Sequence, residues 1–531
     1  MGGVDLQLLI HVAIVLGVSI GFESLFIHQG LSAMDEGWPL HAAMELQGGR
    51  TLYDEVFWVF PPGHILPAWI AYALDPPGVV LARIIYAAFT VAAAIAALFV
   101  SRRLMRPEFA LLAALLIAVA APRSHFEQLL FGYRYLVWSL VVLLFFHLRL
   151  TRDDARWLVP AGFFAGVALY FRLTPAFAVS VAIGIGIVAA SRDWRQWIRE
   201  GLLYSAGLLL VWVPVLLWFQ STIGLEQLWS EMIVRPVEMT ALQSRPMPPI
   251  LLGNLDRMGL SFAFASIGFR FYWLFYLGLL VYLLYRWGRA LSTGLPFDDV
   301  FLLAFVVFGA VYFTRSVGRS DVPHLDSAIP PIAVLLAWCV SRLGRLKPFD
   351  PERAGRSARH ATRALCVGVF GLWVFLYGSE RFIDQAEMMG NRPLATLDGE
   401  VRVRARSLGM LVDRLVPIIQ QHSEPDDQIL VMTHSPLFYV LTERHSPGYF
   451  DVVMPGTFRS REEERGYLDR LEARPPAVVV YPSEPFDRHP ARGLDRTAPL
   501  LDEWVSEHYE IRLEAPLYRI MVPKPPEEPA P

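Results

Sequence analysis

Lysine and cysteine are almost missing from this chain, and charge of either sign is thin. Only Lys347 and Lys524 stand beside 45 arginines, and Cys339 and Cys366 are the two cysteines in 531 residues. Both cysteines fall inside apolar stretches, so neither a disulfide framework nor a cysteine-ligated metal is expected. Asp, Glu, Lys and Arg together make up 18% of the chain, where a soluble protein carries about 25%. The basic residues are spread over loops rather than gathered on one face, and the formal net charge is −3. No nucleic-acid partner is therefore expected. Arginine in place of lysine suggests a GC-rich genome, which is compatible with a bacterium.

Apolar runs fill the room left by charge, with 54% of residues hydrophobic. Stretches of roughly 20 such residues suffice to cross the hydrocarbon core. They recur at 6–26, 79–101, 109–122, 135–149, 157–172, 174–190, 202–219, 263–285, 299–314, 327–341 and 364–380. The fold class read from this is mainly α: a polytopic membrane bundle of about 11 spans. The first stretch lacks a basic leader and a small-residue cleavage site, and reads as a retained anchor. Alternate loops differ in basic charge. The set 102–108, 149–156, 191–201, 286–298 and 342–363 carries 18 Lys and Arg. The other set, 27–78, 122–134, Arg172, 220–262 and 315–326, carries 9 over about twice the length. The positive-inside rule makes the first set cytoplasmic. An odd number of spans then leaves the N-terminus inside and everything after 380 outside.

Past 380 the period changes. Residues 401–421 read as an amphipathic helix, 459–473 as a charged helix, and 428–432, 477–481 and 517–522 as short buried strands. The expected organisation is a membrane domain over 1–380 with an outer loop at 27–78, a small soluble extracytoplasmic α/β domain over 381–522, and a disordered tail at 523–531. His434 and His445, in that domain, have no companions at recognisable spacing and read as ordinary loop histidines.

The first outer loop collects the chemistry. Asp35 and Glu36 precede a run (Leu40, Ala43, Met44, Leu46) fit to be the apolar stripe of a short helix lying on the membrane. Gly48-Gly49 ends it, then Tyr53, Asp54 and Glu55 lead through aromatics to Pro61-Pro62-Gly63 and a second interfacial helix at about 64–74. An aspartate at such a place commonly caps the helix, and Glu36 suits its dipole. Arg83, about one turn inside the second span, needs a carboxylate, a cavity or the headgroups; Glu23, Asp35 and a lipid phosphate are its candidate partners. A second outer segment, 315–326, packs Arg315, Arg319, Asp321, His324 and Asp326 into one short loop. Asp321 and His324 are spaced to face each other on a helix, and Arg319 and His324 suit a phosphate; carboxylate plus one histidine is too little to specify a metal. Arg123, Arg134, Arg172, Arg235 and Arg270 also fall near the outer boundary, unranked.

The order first span, Asp35-Glu36, short helix, Gly49, Tyr53-Asp54, Pro61-Pro62, with a multi-span body and an outward C-terminal domain, resembles the GT-C superfamily of glycosyltransferases. The likeness is to the branch of protein O-mannosyltransferases and lipid A aminoarabinose transferases. The resemblance implies a membrane enzyme that moves a sugar from a polyprenyl-phosphate donor to an acceptor at the outer face of a bacterial cytoplasmic membrane, with inversion. It implies Asp35 as general base and Asp54 as a second catalytic candidate. Glu36, Tyr53, Glu55, Arg83, Arg315, Arg319, Asp321 and His324 are the expected substrate-binding residues. No cofactor or metal is implied beyond the lipid-linked donor itself. Partners would be that lipid, the surrounding membrane lipids and a glycan, lipid or protein acceptor. Two other readings stand beside it: a transporter or flippase of lipid-linked sugars, which needs ionisable groups near mid-membrane, and a non-catalytic envelope-assembly protein. Charge collecting at one face of the spans favours surface chemistry over passage.

Overall fold

The computed structural model describes residues 5–119, 134–191, 193–246, 255–289, 295–320, 322–343, 351–373, 391–404 and 407–525. Helices stand at each of the eleven apolar stretches: α1 (Leu6–Ser24), α4 (Val79–Leu104), α5 (Pro107–Val119), α6 (Leu136–Arg152), α7 (Leu158–Phe171), α8 (Leu173–Ala190), α9 (Trp194–Thr222), α10 (Leu255–Arg289), α11 (Phe297–Gly318), α12 (Ile329–Leu343) and α13 (Pro351–Trp373). Within them are six segments long and apolar enough to cross a membrane: α1, α4, α8, α9, Gly268–Arg289 of α10, and α11. Three shorter helical stretches, Pro107–Val119, Ala155–Phe171 and Ile329–Arg342, are also apolar.

Packing sorts these helices by depth. In α11, 72% of the apolar window is enclosed, against 22% in α9. The former is the centre of the bundle. The latter shows Leu202, Leu209, Leu210, Leu217 and Trp218 outward, as a lipid-facing helix must. Helices α7 and α9 approach through glycine. A Cβ on Gly162 would meet the Tyr204 carbonyl oxygen at 1.8 Å, and one on Gly207 the Val159 carbonyl oxygen at 2.0 Å, so only the absence of a side chain permits this contact.

Two helices lie between the first two spans, α2 (Gly37–Gln47) and α3 (Leu66–Leu74). The sequence places α2 on the membrane surface; instead every residue from Gly37 to Glu45 is buried. It is covered by the C-terminal region, whose helix α15 (Leu437–Thr442) crosses it at Gly37. A Cβ there would lie 2.3 Å from the Leu437 nitrogen, and that N–H donates to the Ala33 carbonyl at 3.2 Å.

The C-terminal region is an α/β unit. Strands β3 (Ile429–Val431), β4 (Val478–Pro482), β5 (Tyr509–Glu514) and β6 (Tyr518–Pro523) form a sheet in the order β3-β4-β6-β5. β3 and β4 are parallel and the other pairs antiparallel. Helices α14 (Leu408–Gln421), α16 (Arg461–Ala473) and α17 (Pro499–His508) accompany it, and a two-residue pair, β1 (Arg392–Pro393) with β2 (Arg402–Val403), precedes it. Strand β5 is absent from the expected set because its residues are largely exposed and polar. Pro523, assigned to the tail, is the last residue of β6.

The unit is fastened to one end of the bundle. His28 accepts the Arg402 N–H at 2.8 Å through its carbonyl. Arg235, held by Glu231, reaches Glu463 at 2.6 Å and the Thr457 carbonyl at 2.7 Å. Arg319 meets Asp487 at 3.1 Å. The first long loop, the Arg319 segment and the C-terminal unit therefore share one face of the molecule.

Candidate active site

Asp35 sits on a loop clamped from both sides. Below it, Arg83 donates from Nε to Glu36 Oε1 at 2.5 Å and from Nη2 to Oε2 at 2.8 Å, while its remaining donors take the carbonyls of Ile27 and Gly30 at 2.7 and 2.8 Å. Above it, the Gly30 N–H donates to the Arg402 carbonyl at 2.9 Å. Glu36 also accepts the Ser32 N–H at 3.0 Å. A bidentate pair with every carbonyl nearby engaged holds a loop much as a strand pairing would. Ser32 then donates its hydroxyl to Asp35 Oδ2 at 3.1 Å. The Glu36 side chain makes no capping bond to the start of α2.

That carboxylate opens into a cavity of about 680 Å³ between the bundle end and the C-terminal unit. Its wall brings together Asp35, Arg172, Arg315, Arg319, His324 and His434, with Trp38, Phe60 and Pro61 on the aromatic side. Arg172 sits at the turn between α7 and α8 with its guanidinium over the Phe60 ring, 5.4 Å from the centroid. Burial first, then the charge of Arg315, pushes its pKa down to about 9. Arg315 has both terminal nitrogens buried with no hydrogen-bond partner among the described residues. Two crowded guanidiniums, one of them unsatisfied, make a place for an anion.

Most of the other expected site residues do not line the cavity. Glu36 and Arg83 do not line the cavity: 0% and 1% exposed, they face each other as a structural clamp. The partner of Arg83 is therefore neither Glu23 nor Asp35. Tyr53 is fully buried at a φ of 69°, its hydroxyl donating to the Phe60 carbonyl at 2.5 Å. Asp54 and Glu55 are exposed and outside the cavity wall; Glu55 accepts the Thr51 N–H at 2.8 Å, closing its own turn. Arg319 lines the cavity while bound to Asp487, and Arg245 and Arg492 bind that same carboxylate. Asp321 and Arg123 lie outside the described residues. Arg235 is a strut, with its guanidinium between the Phe57 and Phe450 rings.

His434, read from the sequence as an ordinary loop residue, lies in the cavity wall, edge-on to Phe486 at 5.0 Å. Burial lowers its pKa; Asp487 works against this and Arg319 with it. No local signal marks it, since its neighbours come from distant parts of the chain. His445 is half exposed and lies outside that wall. Among the described residues no group of three or more His, Cys, Asp or Glu is placed to hold a metal ion.

No family model matches the chain, and no curated protein matches it by sequence. Solved structures do. ArnT from Cupriavidus metallidurans in the apo state overlays with a TM-score of 0.57 at 15% identity, covering 97% of each chain. The same protein bound to undecaprenyl phosphate gives 0.55 at 16%, again over 97% of each. The oligosaccharyltransferase of Archaeoglobus fulgidus, tethered with an acceptor peptide, gives 0.54 at 12%, covering 96% of this chain and 72% of that one. Membrane bundle, first long loop and C-terminal unit all fall within the overlay with the first two, so the chain shares the fold of ArnT.

Proposed function

We propose that this protein is a membrane glycosyltransferase that moves a sugar from a polyprenyl-phosphate donor to an acceptor hydroxyl at the outer face of a bacterial cytoplasmic membrane. The observation that carries this is the cavity whose wall holds Asp35 together with Arg172 and Arg315, the latter with unsatisfied nitrogens. The fold shared with a protein solved with undecaprenyl phosphate supports the choice of donor.

In this reading the phosphate lies against Arg172 and Arg315, the lipid tail remains in the bilayer, and the anomeric carbon faces Asp35. The acceptor oxygen attacks that carbon from the side away from the phosphate. Its proton goes to Asp35 as the new C–O bond forms. The old bond breaks toward the phosphate oxygen, inverting the centre, and the lipid phosphate leaves as an anion. It needs no protonation, because the guanidiniums stabilise the charge as it develops. Asp54, outside the cavity wall, has no part in this step.

The test is Asp35→Asn in the full chain in lipid nanodiscs. Transfer from a polyprenyl-phosphate sugar should fall by roughly 10²–10⁴-fold, with undecaprenyl phosphate still bound at wild-type affinity. Undiminished transfer would remove Asp35 as the base. Failure of the wild-type protein to bind undecaprenyl phosphate would remove the donor assignment.

A further inference from the structure

A second cavity, of about 220 Å³, opens beyond His434 at the carboxyl ends of β3 and β4. Residues just after β3 (Met432, Thr433, His434) form one wall, and the end of β4 with its following turn (Tyr481 to Phe486) forms another. Ligands of α/β sheets settle at this edge, where the strand ends leave a crevice. His434, Met454 and Phe486 line both cavities, so the two share a wall.

The lining suits one kind of occupant. Thr433 is only 3% exposed, and its hydroxyl has no hydrogen-bond partner among the described residues. A buried hydroxyl left without a partner is costly unless something that enters the space supplies one. The same cavity is lined by Ser483, Glu484, Asp495, Phe486 and Arg492, whose guanidinium also binds Asp487 and the Ser244 carbonyl. Donors and acceptors are therefore interleaved beside an aromatic ring. A polyol ring asks for this mixture, because each hydroxyl both gives and takes a hydrogen bond. An acyl chain does not. The volume falls below the roughly 300–1,000 Å³ of sites for larger ligands, which fits a single ring.

We propose that this pocket seats a terminal sugar ring of the acceptor, directing it past His434 toward Asp35, so that the acceptor is a glycan or glycolipid rather than a peptide. The term acceptor rests on the transferase reading above; the pocket's affinity for a sugar does not.

The two are separated by measuring both ligands on the full chain in nanodiscs. Saturation-transfer NMR would follow methyl glycosides of glucose, mannose, galactose and N-acetylglucosamine, and thermal shift would follow undecaprenyl phosphate. At least one glycoside should bind. Thr433→Val, isosteric but without the hydroxyl, should weaken it about tenfold, the loss of one good hydrogen bond, without lowering the melting temperature. Ser483→Trp, which fills the pocket from its rim, should abolish the signal. Both variants should bind undecaprenyl phosphate as the wild type does. Glycoside binding indifferent to both substitutions, absence of binding across the panel, or binding of a Ser/Thr-containing octapeptide instead would each overturn the proposal. Absence of undecaprenyl phosphate binding beside an intact glycoside signal would overturn the donor reading alone.

Discussion

Three arginines near the site divide by what faces them. Arg83 has Glu36 in a two-point pair and three loop carbonyls besides. Arg235 has Glu231 and Glu463. Arg315 has no hydrogen-bond partner at its terminal nitrogens among the described residues. Removing the carboxylate of a buried pair strands the cation and costs about 3–5 kcal/mol. Glu36→Ala should therefore lower stability by that order and loosen the loop that carries Asp35. Removing an uncompensated cation has the opposite sign. Arg315→Gln should melt no lower than the wild type in the absence of lipid, and should lose the stabilisation that undecaprenyl phosphate confers. Thermal melts of the two variants with and without that lipid check both; a drop in the lipid-free melt of Arg315→Gln would refute its assignment as an anion seat. At this scale the sequence shows that Arg83 needs a carboxylate, a cavity or the headgroups, but not which. Asp35 and Glu36 are adjacent in the chain and point to different places, one to the cavity and one to Arg83, and that direction comes from how the loop turns into α2.

Helix α2 carries the same lesson in a longer element. Its sequence has the length and the apolar residues of the predicted surface helix. The reading assumes one wet face, yet the C-terminal unit covers the side expected to meet water. What covers it lies some 400 residues away in the chain, beyond the reach of any local period, whereas the spans were legible because each carries its whole signal in one run. The cover is fastened by His41 of α2, which meets Asp451 at 2.6 Å and Glu45 at 3.1 Å, fully out of solvent. Burial alone would lower the histidine pKa; the hydrogen bonds to Asp451 and Glu45 outweigh it and raise it from 6.5 to about 9. A folded-state value above the unfolded one means the stabilisation is full below about pH 6.5 and is lost as pH rises through about 9, up to about 3 kcal/mol in all. Melting temperature should therefore fall between pH 6.5 and 9.5 more steeply in the wild type than in His41→Gln, whose side chain does not titrate. Parallel curves would mean that the imidazolium contributes nothing to holding the unit down. Gly37 adds a steric limit to the same seam, since any side chain there would strike the Leu437 backbone.

For the molecule as a whole the proposed reaction requires this end of the bundle to face outward, because a polyprenyl-phosphate sugar awaiting an extracytoplasmic acceptor would present its headgroup there. The loop charge bias predicts this orientation. At the end opposite the cavity, Arg102 pairs with Asp5, Arg149 with Glu200 and Arg286 with Asp299, all at the mouths of loops in the arginine-rich set. The two native cysteines lie half-buried in α12 and α13, inside apolar helices, so they give little background to a polar thiol reagent. Glu462 is exposed at the start of α16 and Arg195 is exposed at the start of α9. A membrane-impermeant maleimide applied to cells with a permeable outer envelope and intact cytoplasmic membrane should label Glu462→Cys at once. It should reach Arg195→Cys only after that membrane is opened. Were the order reversed, the cavity would face the cytoplasm. The fold and the cavity would stand unaltered, while a donor presented from outside could not reach Arg172 and Arg315, and an acceptor in the envelope could not reach Asp35.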